Sequence, residues 1–322
     1  MQIHLTTYNV LANSMADTRF FKVADASVLS LDKRMPKILN ELQECFDRDD
    51  IICLQEVDVT LAAAGLHQAF LRNGYYPLTA HYSTTPGRDY FGNLIAFPMK
   101  KYNLVTYGQC KIGDHILIPK PYSNPIAPQV FNDGKPRSTV SGDVYQEAAK
   151  RDTALLYATF EDKSSRKRFV VNTYHMPCAF WWPSVMTLHA EALLRKVKEY
   201  SNDLPYILIG DFNTQPNTPV YKLLTEGVIN DPGFIPSPEW EINATVSGLC
   251  LTDIRSITGF PFHNTTSARN PNDSIFEAAL DHIFCSPGFS NHEISYSPPS
   301  GEMPNEKSGS DHVPVSCKLT LN

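Results

Sequence analysis

The chain has 322 residues, of which 42% are hydrophobic, 19% charged and 11% aromatic, and a formal net charge of −6. That length can bury a sizeable core, the composition is that of an ordinary globular protein, and no apolar run approaches the roughly 18 residues of a membrane span. The acidic balance argues against a surface that steers as a whole towards nucleic acid, leaving only a local basic groove for that purpose.

The opening stretch MQIHLTTYNVL has no basic or apolar leader region, so an intracellular, cytoplasmic protein is expected. Residues 3–10 alternate with period two, which predicts a strand with Asn9 at its end. From Asp32 to Asp47 the apolar set Ile38, Leu39, Leu42, Cys45 and Phe46 follows helical spacing, with Pro36 tolerable only in a first turn. A buried strand, IICLQEV (51–57), is expected next, then a helix over Thr60–Arg72 stopped by Asn73-Gly74, and strands YYPLTAHY and NLIAFP. Residues 119–142 accumulate Pro, Asn, Ser and Gly without periodicity and read as a long surface loop. Strands follow at 153–160 and 168–176. The stretch 183–200 then carries Met186, Ala190, Leu193, Leu194 and Val197 on one helical face. The chain closes with the strand YILIG, a short helix near Pro219–Glu226, a loop-rich stretch to about 275, and strands LDHIFCS and VPVSCKL. Helices and strands mix without strict alternation and no composition break marks a linker, so one domain spanning residues 1–322 is expected, α+β or layered α/β.

The seven cysteines are scattered, odd in number and without a C-x-x-C pair, which disfavours a disulfide framework and a structural zinc site. Asn-x-Ser/Thr triplets at Asn243, Asn264 and Asn272 read as chance occurrences.

Polar groups recur at the ends of apolar strands: Asn9, Glu56, Asp211 with Asn213, Asp281, and the pair Asp311-His312. Taken singly, each reads as a cap or a turn-making residue. Taken together they imply a shared site, because a buried carboxylate is costly unless paired, hydrogen-bonded or metal-bound. Carboxylates suit a hard cation, and a histidine beside a carboxylate suits proton transfer or stabilisation of transition-state charge. Phosphodiester hydrolysis uses these parts: an activated water, a cation on the phosphoryl oxygens and donors for developing charge.

TYNVL, LQEVD, VVNTYH, IGDFNTQP, LDHIF and SDHVPV, in that order from the first strand to the last, resemble the motifs of the endonuclease/exonuclease/phosphatase superfamily. GDFNTQPNTPVYKLL is most similar to its deadenylase and nocturnin branch. The resemblance implies a four-layer α-β-β-α sandwich, two facing mixed sheets flanked by helices. It also implies Mg²⁺-dependent cleavage of phosphoester bonds, with Mn²⁺ as an alternative cation. Residue by residue, it makes Glu56 the metal ligand, with Asn9 supporting metal and phosphate and Asp311 binding metal directly or through water. Asp211 becomes the base or water-orienting group and Asn213 a phosphate contact, while Asp281 orients His312 towards the scissile phosphate. Where the family has Asn-x-His or Asn-x-Tyr, this chain reads Asn172-Thr173-Tyr174-His175. Alternation directs either Asn172 and Tyr174 or Thr173 and His175 to the site. The Asn-Thr-Tyr register keeps the motif and is preferred, with a bulge as a route by which His175 also arrives.

Asn93 and Arg151, at strand starts, are candidate phosphate contacts. Phe180, Trp181 and Trp182 are either base-stacking groups or a packing cluster. Three functions follow: an RNA nuclease acting from a 3′ end on a single strand, a phosphatase or phosphodiesterase for a small or lipid phosphate such as an inositol phosphate or sphingomyelin, and a non-catalytic binding module. The competent residue at every proposed catalytic position ranks the module last.

Overall fold

The computed structural model describes residues 1–82, 91–120, 142–258, 261 and 263–322. In chain order, β1 (Gln2–Asn9) leads to α1 (Leu31–Asp47), β2 (Ile51–Asp58), the helical pieces α2 (Val59–Leu61) and α3 (His67–Arg72), β3 (Tyr75–Tyr82), β4 (Phe91–Pro98) and β5 (Tyr102–Lys111). Then come α4 (Val144–Lys150), β6 (Ala154–Asp162), β7 (Arg168–His175), α5 (Pro183–Ser201), β8 (Tyr206–Asp211) and α6 (Pro219–Glu226). The last part holds β9 (Thr252–Asp253), α7 (Ile254–Thr258), the hairpin β10 (Thr266–Arg269) and β11 (Ile275–Ala278), β12 (Asp281–Cys285), β13 (Phe289–Ser295) and β14 (Val315–Leu321).

Two six-stranded mixed sheets result, ordered β13-β14-β1-β2-β4-β3 and β5-β6-β7-β8-β12-β9. Their facing sides share an apolar core that includes Ile3, Leu5, Ile51 and Cys53 from the first sheet and Val171, Ile207, Ile209 and Ile283 from the second. The outer faces are covered by helices: Met35, Ile38 and Leu42 of α1 pack on Tyr8, Ile52 and Leu54, and Leu193, Leu194 and Val197 of α5 pack in the cluster that holds Val170, Tyr174 and Leu208. This is the expected four-layer sandwich. No helix among the described residues is long and apolar enough to cross a membrane.

Strand direction explains the convergence of polar groups. β1 runs parallel to β2, and β7 parallel to β8, so Asn9, Glu56, His175 and Asp211 all sit at carboxyl ends. β12 runs antiparallel to β8 with Asp281 opposite Asp211, and β14 antiparallel to β1 with Val315 opposite Thr7. Residues that begin β12 or precede β14 therefore arrive at the same edge of the sandwich.

Several elements differ from the sequence expectation. Helix α1 begins at Leu31, so Pro36 lies in its second turn, where it has no N–H to donate to the Asp32 carbonyl. β5, α4, β13 and the β10–β11 hairpin are additional; their short or irregular burial patterns carry little periodicity, β5 reading half-buried to exposed over most of its length. Most of the expected 119–142 loop lies outside the described residues.

One buried group makes the fold pH-sensitive. His189 of α5 donates from Nε2 to the Ala148 carbonyl (2.9 Å) and accepts at Nδ1 from the Tyr174 hydroxyl (2.7 Å), so the ring is neutral. Burial pushes its imidazole down to about 4 from the ordinary 6.5. The unfolded chain therefore binds an extra proton between those values, and stability of about 3 kcal/mol, present above pH 6.5, is lost as the pH falls towards about 4. Chemical denaturation of wild type and His189→Gln across this range should show a steeper acid decline in the wild type; parallel curves would contradict the assignment.

Candidate active site

The strand ends enclose an open cavity of about 710 Å³, lined among others by Asn9, Glu56, His175, Asp211, Asp311 and His312. Glu56 is delivered by a bulge in the β2–β4 pairing between Leu54 and Val57, where it takes φ 60°. A non-glycine residue in that left-handed region costs on the order of 1–2 kcal/mol, a local strain compensated by its contacts. Its Oε1 accepts from Asn9 Nδ2 at 3.0 Å and its Oε2 from the Ala12 amide at 2.9 Å. The other hydrogen of Asn9 Nδ2 goes across to Asp211 Oδ2 at 3.0 Å, so one amide ties the two sheets' carboxylates together. Asn9 Oδ1 accepts the Leu11 amide at 3.0 Å and keeps a second lone pair.

Asp211 ends β8, and its Oδ1 accepts the Asn213 amide at 2.9 Å, with Asn213 at φ 47°. The two residues reach the cavity through this tight turn and not through the period-two spacing of a continued strand. Gly210 before them is required by crowding: a Cβ there would lie 2.0 Å from the Tyr174 carbonyl oxygen of β7. Asn213 Nδ2 donates to the Met176 carbonyl at 2.9 Å and lies 3.1 Å from His175 Nε2.

His312 Nδ1 donates to Asp281 Oδ2 at 2.7 Å, and Asp281 is fully buried behind it. The far nitrogen, Nε2, stands 3.7 Å from Asp211 Oδ2, and His175 Nε2 stands 3.6 Å from the same oxygen. Both separations exceed hydrogen-bond length but leave no room for an atom between, so a water or phosphate oxygen can touch the Asp211 carboxylate and an imidazole together only from the cavity side. Burial acts to lower the His312 pKa, but the carboxylates of Asp281, Asp311 and Asp211 outweigh it and hold the imidazolium well above the ordinary histidine range. Burial, opposed by His312 and reinforced by Glu56 and Asp211, pushes the Asp311 carboxyl up to about 6.

Of the residues singled out in the sequence, Asn9, Glu56, Arg151, His175, Asp211, Asn213, Asp311 and His312 line the cavity. Asp281 supports His312 from behind. Three do not reach it. Tyr174 is buried under α5, bonded to His189 and to the Thr153 hydroxyl at 2.7 Å; Asn172 points the same way and donates to the Ile207 carbonyl at 3.1 Å. The preferred Asn-Thr-Tyr register is thus corrected: Thr173 and His175 share the face towards the other sheet, and β7 extends to His175, opposite Asp211, without a bulge. Asn93 is also corrected; it lies between the sheets and donates to the Ala154 carbonyl at 2.7 Å.

The rim is aromatic. Phe180 and Trp181 are exposed beside the cavity, whereas Trp182 is buried in the core, which resolves the trio into two surface rings and one packing ring. Phe276, on the hairpin, faces Phe180 with ring centroids 6.1 Å apart, and Arg151 lies over Trp181 at 5.7 Å while pairing with Glu147 at 2.8 Å. Phe276 and Phe20, which also lines the cavity, were not anticipated, since neither belongs to a periodic or motif-bearing stretch.

Residues 6–312 match the sequence profile of the Endonuclease/Exonuclease/phosphatase family. The chain belongs to that family. It is 25% identical over 98% of its length to 2′,5′-phosphodiesterase 12 of Rattus norvegicus, of which it spans 51%. To Protein angel of Drosophila melanogaster it is 24% identical, covering 98% of this chain and 80% of the relative. A probable CCR4-Not complex 3′-5′-exoribonuclease subunit Ccr4 of Encephalitozoon cuniculi is 24% identical, with 99% and 62% covered. The chain therefore spans about half the length of the phosphodiesterase 12 relative. Among solved structures, ANGEL2, a 2′,3′-cyclic phosphatase in complex with adenosine-2′,3′-vanadate, superimposes with a TM-score of 0.74 at 21% identity, covering 100% of this chain and 96% of that one. The human Nocturnin catalytic domain with bound sulfate gives 0.63 at 18% identity, with 100% and 94% covered. Exoribonuclease and nocturnin names among these agree with the branch expected from GDFNTQPNTPVYKLL.

Members of this family typically require a divalent cation, and the donor set suits one. By spacing alone, ligand atoms of Asp211, Asp281 and His312 lie within 4.8 Å of one another. A cation there would have to displace the proton that Asp281 and His312 share. Glu56 and Asp311, hard oxygen donors whose negative charges act on each other and which do not share that proton, are the residues that could hold the ion, with Asn9 hydrogen-bonded to Glu56. Bound there, the ion would neutralise charge on phosphoryl oxygens.

The electrostatic arrangement yields a direct check. In metal-free protein, Asp281→Asn removes the strongest counter-charge of His312, and an NMR titration of its imidazole should show the apparent pKa falling towards or below the ordinary histidine value. An unchanged titration would mean that Asp281 does not hold that proton.

Proposed function

We propose that this chain is a Mg²⁺-dependent phosphodiesterase that hydrolyses bonds at the 3′ end of single-stranded RNA. The observation that carries this reading is Asp211 held by Asn9 and the Asn213 amide, facing the His312 imidazolium across a gap of 3.7 Å. A water on the cavity side of this pair would be oriented by the Asp211 carboxylate and could lose its proton to it. The His312 Nε2–H, kept charged by Asp281, is aimed where charge develops on a phosphoryl oxygen, and Asn213 closes the other side. A cation at Glu56 and Asp311 would add Lewis-acid assistance.

Substrate class is supported by the rim. Phe180, Trp181 and Phe276 offer flat, sequence-tolerant surfaces to bases at the cavity mouth, as expected for a strand end and not for a duplex. The names of the relatives, an exoribonuclease and a 2′,5′-phosphodiesterase among them, agree with RNA. A second reading, a small or lipid phosphate as substrate, draws on one observation: Lys150 and Arg151 are the only basic residues other than histidine lining the described cavity, few for holding a long polyanion.

A panel of 5′-labelled poly(A), mixed-sequence RNA, single-stranded DNA and inositol phosphates separates these readings. Stepwise RNA shortening is expected, abolished by chelation, restored by Mg²⁺, and reduced by roughly 10²–10⁴-fold in kcat in Asp211→Ala. Phosphate release from inositol phosphates without RNA cleavage would transfer the assignment to the second reading. Phe180→Ala and Trp181→Ala should each weaken RNA binding by about 1–3 kcal/mol, seen in KM more than in kcat, and leave a small-phosphate activity unchanged.

A further inference from the structure

Arg34, outside all the motifs above, is completely buried in the first turns of α1. Its guanidinium has no carboxylate partner among the described residues; instead it is bonded to backbone. Nε donates to the Gly309 carbonyl at 2.7 Å, and Nη2 donates to the carbonyls of Val10, at 2.7 Å, and Leu11. Nη1 is buried with no acceptor. Leaving a buried charge in this state is expensive unless nearby negative charge compensates it. The carboxylates that act on it are Asp311, Glu56 and Asp58, the first two belonging to the proposed cation seat.

The three acceptors lie on two distant segments. Val10 and Leu11 follow Asn9 and precede Ala12, whose amide fixes Glu56. Gly309 precedes Ser310, whose hydroxyl donates to the Asn9 carbonyl at 2.6 Å and accepts the His312 amide at 3.2 Å. Gly309 itself is pressed on α1: a Cβ there would lie 2.6 Å from the Arg34 carbonyl oxygen. Both the side chain and the backbone of Arg34 thus seat the 309–312 segment against the exit of β1.

We propose that Arg34 is a positioning residue of the catalytic site, its planar fork joining the segment that carries Asn9 and secures Glu56 to the segment that carries Asp311 and His312. Lysine cannot replace it, since a single ammonium on a flexible stem cannot reproduce the fork. The inference about catalysis rests on the function proposed above; the juxtaposition does not, so the test has two arms.

The first arm measures amide hydrogen exchange in metal-free wild type, Arg34→Lys and Arg34→Met. Exchange should accelerate about tenfold or more in residues 9–12 and 309–312 while β7 and β8 keep their protection, with Arg34→Lys intermediate. Retained protection in both segments overturns the proposal, as does a uniform loss that includes β7 and β8, the signature of a merely structural role. Should Arg34→Met fail to fold, Arg34→Lys decides by the same criterion. The second arm measures hydrolysis: kcat should fall, or the half-saturating divalent-cation concentration rise, by about 10–100-fold, with substrate KM little changed. Normal kinetics in a variant with lost local protection overturns the catalytic role. Inactive wild type would count against the proposed function alone, because exchange is read without turnover.

Discussion

Like charges brought together at one edge of the sandwich are the constraint on which the rest of the structure depends. Glu56, Asp211 and Asp311 line one cavity, with Asp281 just behind it. Such a cluster destabilises the fold unless each carboxylate is hydrogen-bonded, paired or offered a cation. The chain supplies an answer for each in turn. Asn9 and the Ala12 amide take Glu56, Asn9 and the Asn213 amide take Asp211, and His312 takes Asp281. Asp311 is the remainder. Its carboxyl, pushed up to about 6 chiefly by burial and further by Glu56 and Asp211, is where the negative charge of the cluster is least compensated by its own neighbours, while its charge in turn helps to offset that of the buried Arg34.

Topology makes this concentration of charge possible. A sandwich of mixed sheets has two polar edges, and which groups meet at each edge follows from strand direction alone. Because the central strands of each sheet run parallel and their flanking partners run antiparallel, residues from opposite ends of the sequence, Asn9 and His312, reach the same edge. The hydrophobic strands fix position, and the turn-forming residues just beyond them place the chemistry. Local strain is found in the same places, at Glu56 with φ 60° and Asn213 with φ 47°.

Sequence patterning made most of the scaffold legible. The helices α1, α5 and α6 and the central strands show because their periodicity is strong, and the polar groups at strand ends show because they interrupt apolar runs. What stayed hidden is explained by weak or ambiguous signals. Edge strand β5 is half exposed and lacks alternation, and the hairpin carrying Phe276 sits in a stretch without periodic pattern. The register of Asn172 to His175 is invisible in the sequence because both faces of β7 are buried, one under α5 and one against the facing sheet, so alternation of polarity disappears. Arg34 belongs to no motif and to no strand end in the sequence; only the three-dimensional path of residues 309–312 gives it a role.

The misassigned amide Asn93 leads to a more general point. Apolar packing between two sheets is non-directional, and by itself it sets no sharp limit on how one sheet slides over the other. The candidate site, however, is divided: Asn9, Glu56, Asp311 and His312 travel with the first sheet, His175, Asp211 and Asp281 with the second. Misplacement of about 1 Å is enough to impair such a constellation severely. Among the described residues, three amide side chains bond across the sheet interface. Asn93 donates to the Ala154 carbonyl, Gln55 donates to the Thr173 hydroxyl at 3.1 Å while accepting from Thr7, and Asn9 donates to Asp211. Each is a directional bond in a buried setting, where breaking it without replacement is costly. Together they act as pins that turn a tolerant apolar interface into one with a defined register. On this account the amides contribute to catalysis without all touching substrate: Asn9 pins at the reacting edge itself, Gln55 and Asn93 deeper in the sandwich, and the spacing between the Asp211 carboxylate and the His312 imidazolium is the quantity they protect.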